Sequence, residues 1–123
     1  MRRLRLEFET ASLDIVLRDT PTADAVLAAT PFTARTQTWG DEVYFEAPLT
    51  APSEPDARDV VDAGQIAFWL PGSCIAIGYG PTPVSQGNEI RLASPCNIFA
   101  DADGDVQKLA AVRPGSKVRV TRA

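Results

Sequence analysis

The sequence contains no histidine, and this absence excludes several kinds of catalytic site. A Ser-His-Asp triad, a Cys-His pair and a zinc ion bound by histidine all require an imidazole. Positive charge is also in short supply, because 12 basic residues face 16 acidic ones and leave a net charge of −4. Since nucleic-acid-binding domains present a basic patch to phosphates, we expect no nucleic-acid partner.

Long apolar runs and paired cysteines are missing as well. The longest nearly apolar stretch, residues 66–79, is interrupted by Pro71 and Gly72, whereas a helix that spans a bilayer needs about 20 apolar residues. The basic N-terminus leads directly into acidic residues, which predicts no signal peptide. Cys74 and Cys96 match no Cys-x-x-Cys motif, and we interpret both as small buried side chains. These features predict a cytoplasmic protein without a membrane partner.

Alternation of apolar and charged residues is the dominant pattern in the 123 residues, which have the length of one domain. Residues 3–9 place apolar side chains on one face, and Leu13, Ile15 and Leu17 repeat this pattern, which is typical of strands. Residues 20–29 instead begin with a hydroxyl cap and a proline and continue with Ala and Leu, which predicts a helix that ends before Pro31.

Strand-like segments then recur between glycines and prolines, at residues 32–38, 42–47, 65–70, 74–79, 89–93, 96–100, 106–109 and 117–121. Short strands at this spacing indicate a β-sandwich or a β-barrel. Residues 48–59 contain three prolines and several acids without periodicity, and we predict a long surface loop there.

Alternating acids at Asp101, Asp103 and Asp105 resemble the start of a calcium-binding EF-hand loop. However, Val106 and Val112 stand where such a loop requires its glycine and its bidentate acid. We therefore predict an Asp-Gly hairpin turn and no metal site.

The motif Gly78-Tyr79-Gly80 resembles part of a dinucleotide-binding loop. Prolines at 81 and 83 occupy the positions where a phosphate-binding helix would have to begin. The sequence therefore predicts no nucleotide cofactor, and the glycines allow a strand end to bend.

Six of the nine aromatic residues lie within residues 39–79, and their arrangement predicts a gap. Pleating puts Trp69 on the face of its strand opposite Phe68. The next strand presents only Cys74, Ala76 and Gly78 on one face. Small side chains beside an indole leave room for a covering helix or for a ligand, and we favour the helix of residues 20–29 as the cover.

Two carboxylates, Glu42 and Glu46, share one side of their strand with Tyr44. Paired carboxylates can act as acid and base, but without a partner they form a solvated face. We favour the solvated interpretation for Glu46. The bend at Trp39-Gly40-Asp41 leaves an inward orientation open for Glu42.

Four consecutive blocks resemble the small prokaryotic cyclophilin-like proteins: residues 39–45 (WGDEVYF), 64–72 (GQIAFWLPG), 77–83 (IGYGPTP) and 94–99 (SPCNIF). The resemblance runs in order from the first strand to Val118. It implies a mainly β fold, a closed antiparallel β-barrel of about eight strands with one or two short capping helices, as a single cyclophilin-like domain over residues 1–123.

The resemblance does not imply isomerase activity. Peptidyl-prolyl isomerases of this superfamily have a catalytic arginine within Phe-His-Arg, and this sequence has no such motif. Arg35 is the nearest strand arginine, but its neighbours do not match, so the resemblance assigns it no catalytic role.

Three functional hypotheses follow. The first is a binding module for a small molecule or an extended peptide, with no metal or cofactor. The second is a prolyl isomerase of altered chemistry that uses Arg35 or Arg91. The third is an interaction subunit whose exposed aromatics form a homodimer face. For the first hypothesis, the candidate ligand-binding residues are Trp39, Glu42, Tyr44, Trp69, Tyr79, Pro81 and Thr82.

Overall fold

The computed structural model describes residues 1–123 and contains ten strands, one α-helix and one 3-10 helix. In chain order these are β1 Arg3–Phe8, β2 Ser12–Leu17, α1 Pro21–Ala29, β3 Phe32–Arg35, β4 Gln37–Thr38, β5 Glu42–Glu46, β6 Arg58–Val61, β7 Gln65–Trp69, β8 Cys74–Gly78, β9 Ile90–Asp103, the 3-10 helix Val106–Ala111 and β10 Lys117–Arg122. Neither helix has the length and apolar character that crossing a bilayer requires.

The strands form an antiparallel sheet that nearly closes into a barrel. Its order is β3-β10-β1-β2-β9-β7-β8-β5-β4, and β6 pairs with β9 outside this path. Only Thr36 separates β3 from β4, so the two ends of the sheet are formed by one continuous chain segment. The predicted fold class, a mainly β antiparallel barrel with short helices, is therefore confirmed.

The barrel interior is filled by the alternating apolar residues of the first two strands and their partners. Leu4 pairs with Ile15 and Leu6 with Leu13, and all four side chains are fully buried. The opposite face carries charges, such as the exposed pair Arg5–Asp14 with Nε–Oδ1 at 2.9 Å. Such pairs add little stability in water, so burial of the apolar face holds the strands together.

Helix α1 begins where the hydroxyl of Thr20 accepts a hydrogen bond from the Ala23 amide, at 3.0 Å. Ala23 and Val26 are buried in the main core inside the barrel. Ala76 belongs to a separate apolar cluster on the other face of β8. The prediction that this helix covers the small side chains of residues 74–78 is therefore wrong.

The predicted strands 89–93 and 96–100 are parts of the single strand β9, which runs through Pro95. Its pairing with β6 shifts there, from Arg58–Cys96 to Val60–Arg91. Pro95 thus lies in an irregular part of the ladder, where its missing N–H does not interrupt regular pairing. The strand β6 itself begins inside the predicted loop 48–59.

The predicted strand 106–109 is wrong, because this segment forms the 3-10 helix. Val106 and Leu109 are buried, and a spacing of three places them on one face of such a helix. The carboxylate of Asp105 caps it by accepting from the Gln107 amide at 2.9 Å. The chain does turn at Gly104, which has a φ of 143°, but a helix follows and the predicted hairpin does not form.

The loop before β6 is fixed to the barrel by the buried side chain of Asn97 on β9. Its amide nitrogen donates to Thr22 Oγ1 and to the Pro52 carbonyl, both at 2.9 Å, and its oxygen accepts from the Glu54 amide at 2.9 Å. One side chain therefore joins this loop, the start of α1 and β9.

Candidate functional site

A cavity of about 170 Å³ opens on the face of β8 that points away from the main core. Its walls are almost entirely apolar and include a single charged side chain. The lining residues are Trp39, Glu42, Tyr44, Trp69, Cys74, Ala76, Leu92, Ala93 and Cys96.

The floor of the cavity is made by the small side chains of β8. Ala76 pairs with Tyr44 on β5, and Cys74 pairs with Trp69 on β7. The small residues therefore lie between two aromatic side chains on the neighbouring strands. Because the middle strand lacks bulk, an open space remains between the aromatic walls.

The first half of β9 covers the other side of this space. Leu92 and Cys96 are buried against Ala76 in the second apolar cluster. Gly78 permits this close packing, because a Cβ at that position would lie 2.3 Å from Cγ2 of Ile90. The exposed Ala93 stands at the mouth of the cavity.

The indole of Trp69 is held in place from two sides. Its Nε1 donates to Ser94 Oγ at 2.8 Å, which links β7 to β9. Gly72 packs against the ring, since a Cβ there would lie 2.3 Å from Cζ3 of the indole. The aromatic wall is thus fixed in place by its surroundings.

A tight turn brings Trp39 and Glu42 to the cavity. The Trp39 amide donates to the Glu42 carbonyl at 3.0 Å, and Gly40 has a φ of 57°. A Cβ on Gly40 would lie 2.9 Å from the Cα of Thr82, so this position requires glycine. Glu42 is only 6% exposed, which answers the open question of its orientation, while Glu46 is exposed as predicted.

The carboxyl group of Glu42 has an unusual environment. Its Oε1 is buried and has no hydrogen-bond partner in the protein. Burial raises the pKa of Glu42 to about 7, because the charged form loses its hydration. No lysine or arginine lines the cavity to balance a negative charge.

Both cysteines are free, buried and part of the lining, as predicted for small buried side chains. Burial raises the pKa of Cys74, and it raises the pKa of Cys96 to about 12. The thiols are therefore protonated near neutral pH and are poor nucleophiles. No group of three or more acidic, cysteine or histidine side chains is arranged to hold a metal ion.

The structure brings together four of the seven predicted ligand-binding residues, namely Trp39, Glu42, Tyr44 and Trp69. The other three lie outside the cavity wall. Tyr79 packs against the main core, and Pro81 is exposed while its carbonyl accepts from the Asp41 amide at 3.0 Å.

Thr82 is buried, but its hydroxyl donates to the Arg91 carbonyl and also contacts Ser85 Oγ. The loop that contains Pro81 and Thr82 therefore supports the turn before Glu42. The polar groups of Pro81 and Thr82 are bonded to Asp41, Ser85 and Arg91, and neither residue lines the cavity. Their role in ligand binding stays a prediction.

Neither arginine considered for an altered isomerase lies in the cavity. Arg35 Nη1 donates to the Gly115 carbonyl at 3.2 Å. Arg91 is paired with Glu89 and Asp59, at 2.6 and 3.0 Å. Five lining residues were not among the predicted ligand-binding residues. Cys74 and Ala76 belong to the small face beside Trp69 that predicted the gap, whereas Leu92, Ala93 and Cys96 come from β9 and had no signal in the sequence.

Comparison with known proteins agrees with this architecture. The family described as cyclophilin-like matches residues 2–121. The solution structure of a hypothetical protein from Archaeoglobus fulgidus is similar, with a TM-score of 0.86 and 35% identity over 99% of this chain and 95% of that one. No curated protein matches the sequence.

A more distant structure shares the fold. It is that of McbB in complex with tryptophan, with a TM-score of 0.67 and 14% identity. The match covers 97% of this chain but 44% of McbB, so this chain spans less than half of that protein.

Proposed function

The chain belongs to the cyclophilin-like family, and within this fold we propose that it binds a small, flat and largely apolar molecule in the cavity on β8. The observation that carries the proposal is the unpaired carboxyl of Glu42 within an aromatic lining. Buried polar groups are normally hydrogen-bonded, and an exception marks a functional group or a partner that the protein does not supply. A few polar groups in an apolar cavity are also the usual composition of a ligand site.

The size of the cavity limits the ligand. A volume of about 170 Å³ is close to the roughly 150 Å³ of an engineered cavity that binds benzene. It is well below the roughly 300–1,000 Å³ of sites for drug-sized molecules. The proposal is therefore one aromatic ring or two fused rings within the cavity, and an extended peptide is too large to be enclosed.

The distant neighbour McbB was solved with tryptophan, whose side chain is a fused two-ring system. At 14% identity this likeness concerns the fold and assigns no ligand here. It makes indole a sensible first probe, because indole is flat, apolar and carries one N–H donor that could reach a carboxyl oxygen.

The other two hypotheses have less support. An isomerase that uses Arg35 or Arg91 would need a free guanidinium at the cavity. Neither is free, because Arg35 donates to the Gly115 carbonyl and Arg91 is paired with Asp59 and Glu89. A homodimer face of exposed aromatic residues has no support, because the exposed large apolar side chains are Met1, Val60 and Val84, and none of these is aromatic.

Titration of the labelled protein with indole, followed by amide NMR, tests the proposal. We expect shifts at Tyr44, Ala76 and Cys96 and a dissociation constant on the order of 1 mM or tighter, as for a fragment-sized ligand. The variant Ala93→Phe places a ring at the mouth and is expected to abolish binding.

The matched control is Ala110→Phe, which adds the same ring at an exposed position of the 3-10 helix. It is expected to bind indole like the unmodified protein. Absence of any shift with millimolar indole and similar one-ring and two-ring compounds would overturn the proposal.

A further inference from the structure

We propose that the cavity selects organic cations, such as an aromatic ring that bears a protonated amine or amidine, and that Glu42 binds the positive charge. This inference rests on the proposed function and specifies the chemical class of its ligand. It follows from the position of the carboxyl, the charges around it and the aromatic walls.

The position of Glu42 leaves its carboxyl available to a ligand and to little else. The residue is 6% exposed, and Oε1 finds no donor among the surrounding protein groups. Glu42 pairs with Gly78, the last residue of β8, so no side chain stands directly across from it on that strand. Glu42 nevertheless lines the cavity, so its carboxyl is the unpaired acceptor closest to a donor that enters there.

The groups that face Glu42 from the neighbouring elements supply no positive charge. On its own strand is the phenol Tyr44, on β8 the thiol Cys74 and on β9 the thiol Cys96. Besides Glu42 itself, the acids whose charge acts on these thiols are Glu46 for Cys74 and Asp59 for Cys96.

The cation closest in sequence to this part of β9 is Arg91, and its guanidinium is bound by Glu89 and Asp59. Arg58 pairs with Cys96 across the ladder, but its guanidinium donates to Gln65 Oε1 and does not line the cavity. Glu42 is thus the one charged side chain of the cavity wall, and no basic side chain lines it. Such a site attracts a cation and repels an anion.

The walls suit a cation as well. Trp39, Tyr44 and Trp69 line the same cavity as the carboxyl. Aromatic faces attract ammonium and amidinium groups, and this attraction strengthens where water is excluded. A ligand with an aromatic ring and a positive group can therefore stack its ring and direct its charge to Glu42 at once.

Binding a cation requires the ionised carboxylate, so affinity depends on pH. Burial raises the pKa of Glu42 to about 7. At that pKa about half of the carboxyls are ionised at pH 7 and about 1% at pH 5. The cation preference is therefore strong above pH 7 and is lost on acidification, and binding near pH 7 releases a proton.

A matched pair of ligands tests the inference. Benzylamine is a cation near neutral pH, while benzyl alcohol has nearly the same shape and no charge. At pH 7.5 we expect benzylamine to bind at least about ten-fold more tightly, an effect of about 1.4 kcal/mol. By pH 5 the affinities for benzylamine and benzyl alcohol should be equal, while the affinity for benzyl alcohol stays constant between the two pH values.

Two variants identify the group responsible. Glu42→Gln keeps the shape of the side chain but cannot ionise, and it should bind both compounds equally at every pH. Glu46→Gln removes a neighbouring charge that does not line the cavity, and it should keep the preference.

Equal binding of the two compounds to the unmodified protein at pH 7.5 would overturn the inference and leave the proposed function intact. A preference that persists in Glu42→Gln would also overturn it. If neither compound nor indole binds, the proposed function itself fails.

Discussion

Replacing Glu42 with glutamine tests how much stability the buried carboxyl costs the protein. An unfolded chain ionises this group at its ordinary pKa of 4.5, whereas burial raises the pKa to about 7 in the folded protein. Below pH 4.5 both states are protonated and the carboxyl imposes no cost. As the pH rises from 4.5 to 7, the unfolded state loses its proton first and is favoured.

The size of the effect follows from the shift in pKa. Each pKa unit is worth about 1.4 kcal/mol, so the full cost above pH 7 is about 3 kcal/mol. Glutamine does not titrate, and its own cost of burial is the same at every pH. The free energy of unfolding of Glu42→Gln minus that of the unmodified protein should therefore increase by about 3 kcal/mol between pH 4 and pH 8.

Urea denaturation at several pH values, followed by tryptophan fluorescence, measures this difference directly. Glu46→Gln, on the same strand but exposed, is the control, and its difference should stay small. A difference for Glu42→Gln that does not change with pH would refute the reasoning, because it would mean that the folded state ionises this carboxyl as easily as the unfolded chain does.

Three further predictions concern the surroundings of the cavity. Gly78→Ala should lower the free energy of unfolding by about 1–3 kcal/mol in urea denaturation, because the new methyl overlaps Ile90; an unchanged stability would contradict the close packing of β9. Asn97→Ala should lower the free energy of unfolding by about 2–3 kcal/mol, since it removes three hydrogen bonds of a fully buried side chain. It should also speed proteolysis in the loop before β6; intact resistance to protease would count against the network. Cys96, whose pKa burial raises to about 12, should react with iodoacetamide at pH 8 far more slowly in the native state than in urea; equal rates would show that the thiol is accessible.

Much of the barrel could be predicted because the patterns that specify its strands and helix involve residues that are close together in the sequence. In β1 the apolar residues Leu4, Leu6 and Phe8 repeat every second position, and burial repeats in the same way along a strand. The helix was predictable from Thr20 and Pro21, which satisfy its first turn by local chemistry.

Two predictions about the fold were wrong for physical reasons that a local sequence pattern cannot show. Val106 and Leu109 are too few residues to distinguish a 3-10 helix from a short strand by periodicity. The strand β9 continues through Pro95 because its partner β6 shifts register there, and that depends on a distant segment.

The site was predictable to the extent that it depends on neighbouring positions. Trp69 and the small residues Cys74 and Ala76 alternate within two adjacent strands, so the gap between them could be anticipated. The packing of Leu92 over Ala76 could not be anticipated, because it depends on how β9 lies across the sheet. The position of Thr82 in the sequence likewise gave no sign that its amide donates to Ser85 Oγ and its hydroxyl to the Arg91 carbonyl.

The central claim is that Glu42 is a buried, unpaired carboxyl that receives the positive charge of a ligand. The most direct test is an NMR pH titration of its side-chain carboxyl carbon, with and without benzylamine. The account predicts a midpoint of about 7 in the free protein and a carboxyl that stays ionised well below that pH when benzylamine is bound. A midpoint near 4.5, unchanged by benzylamine, would contradict it.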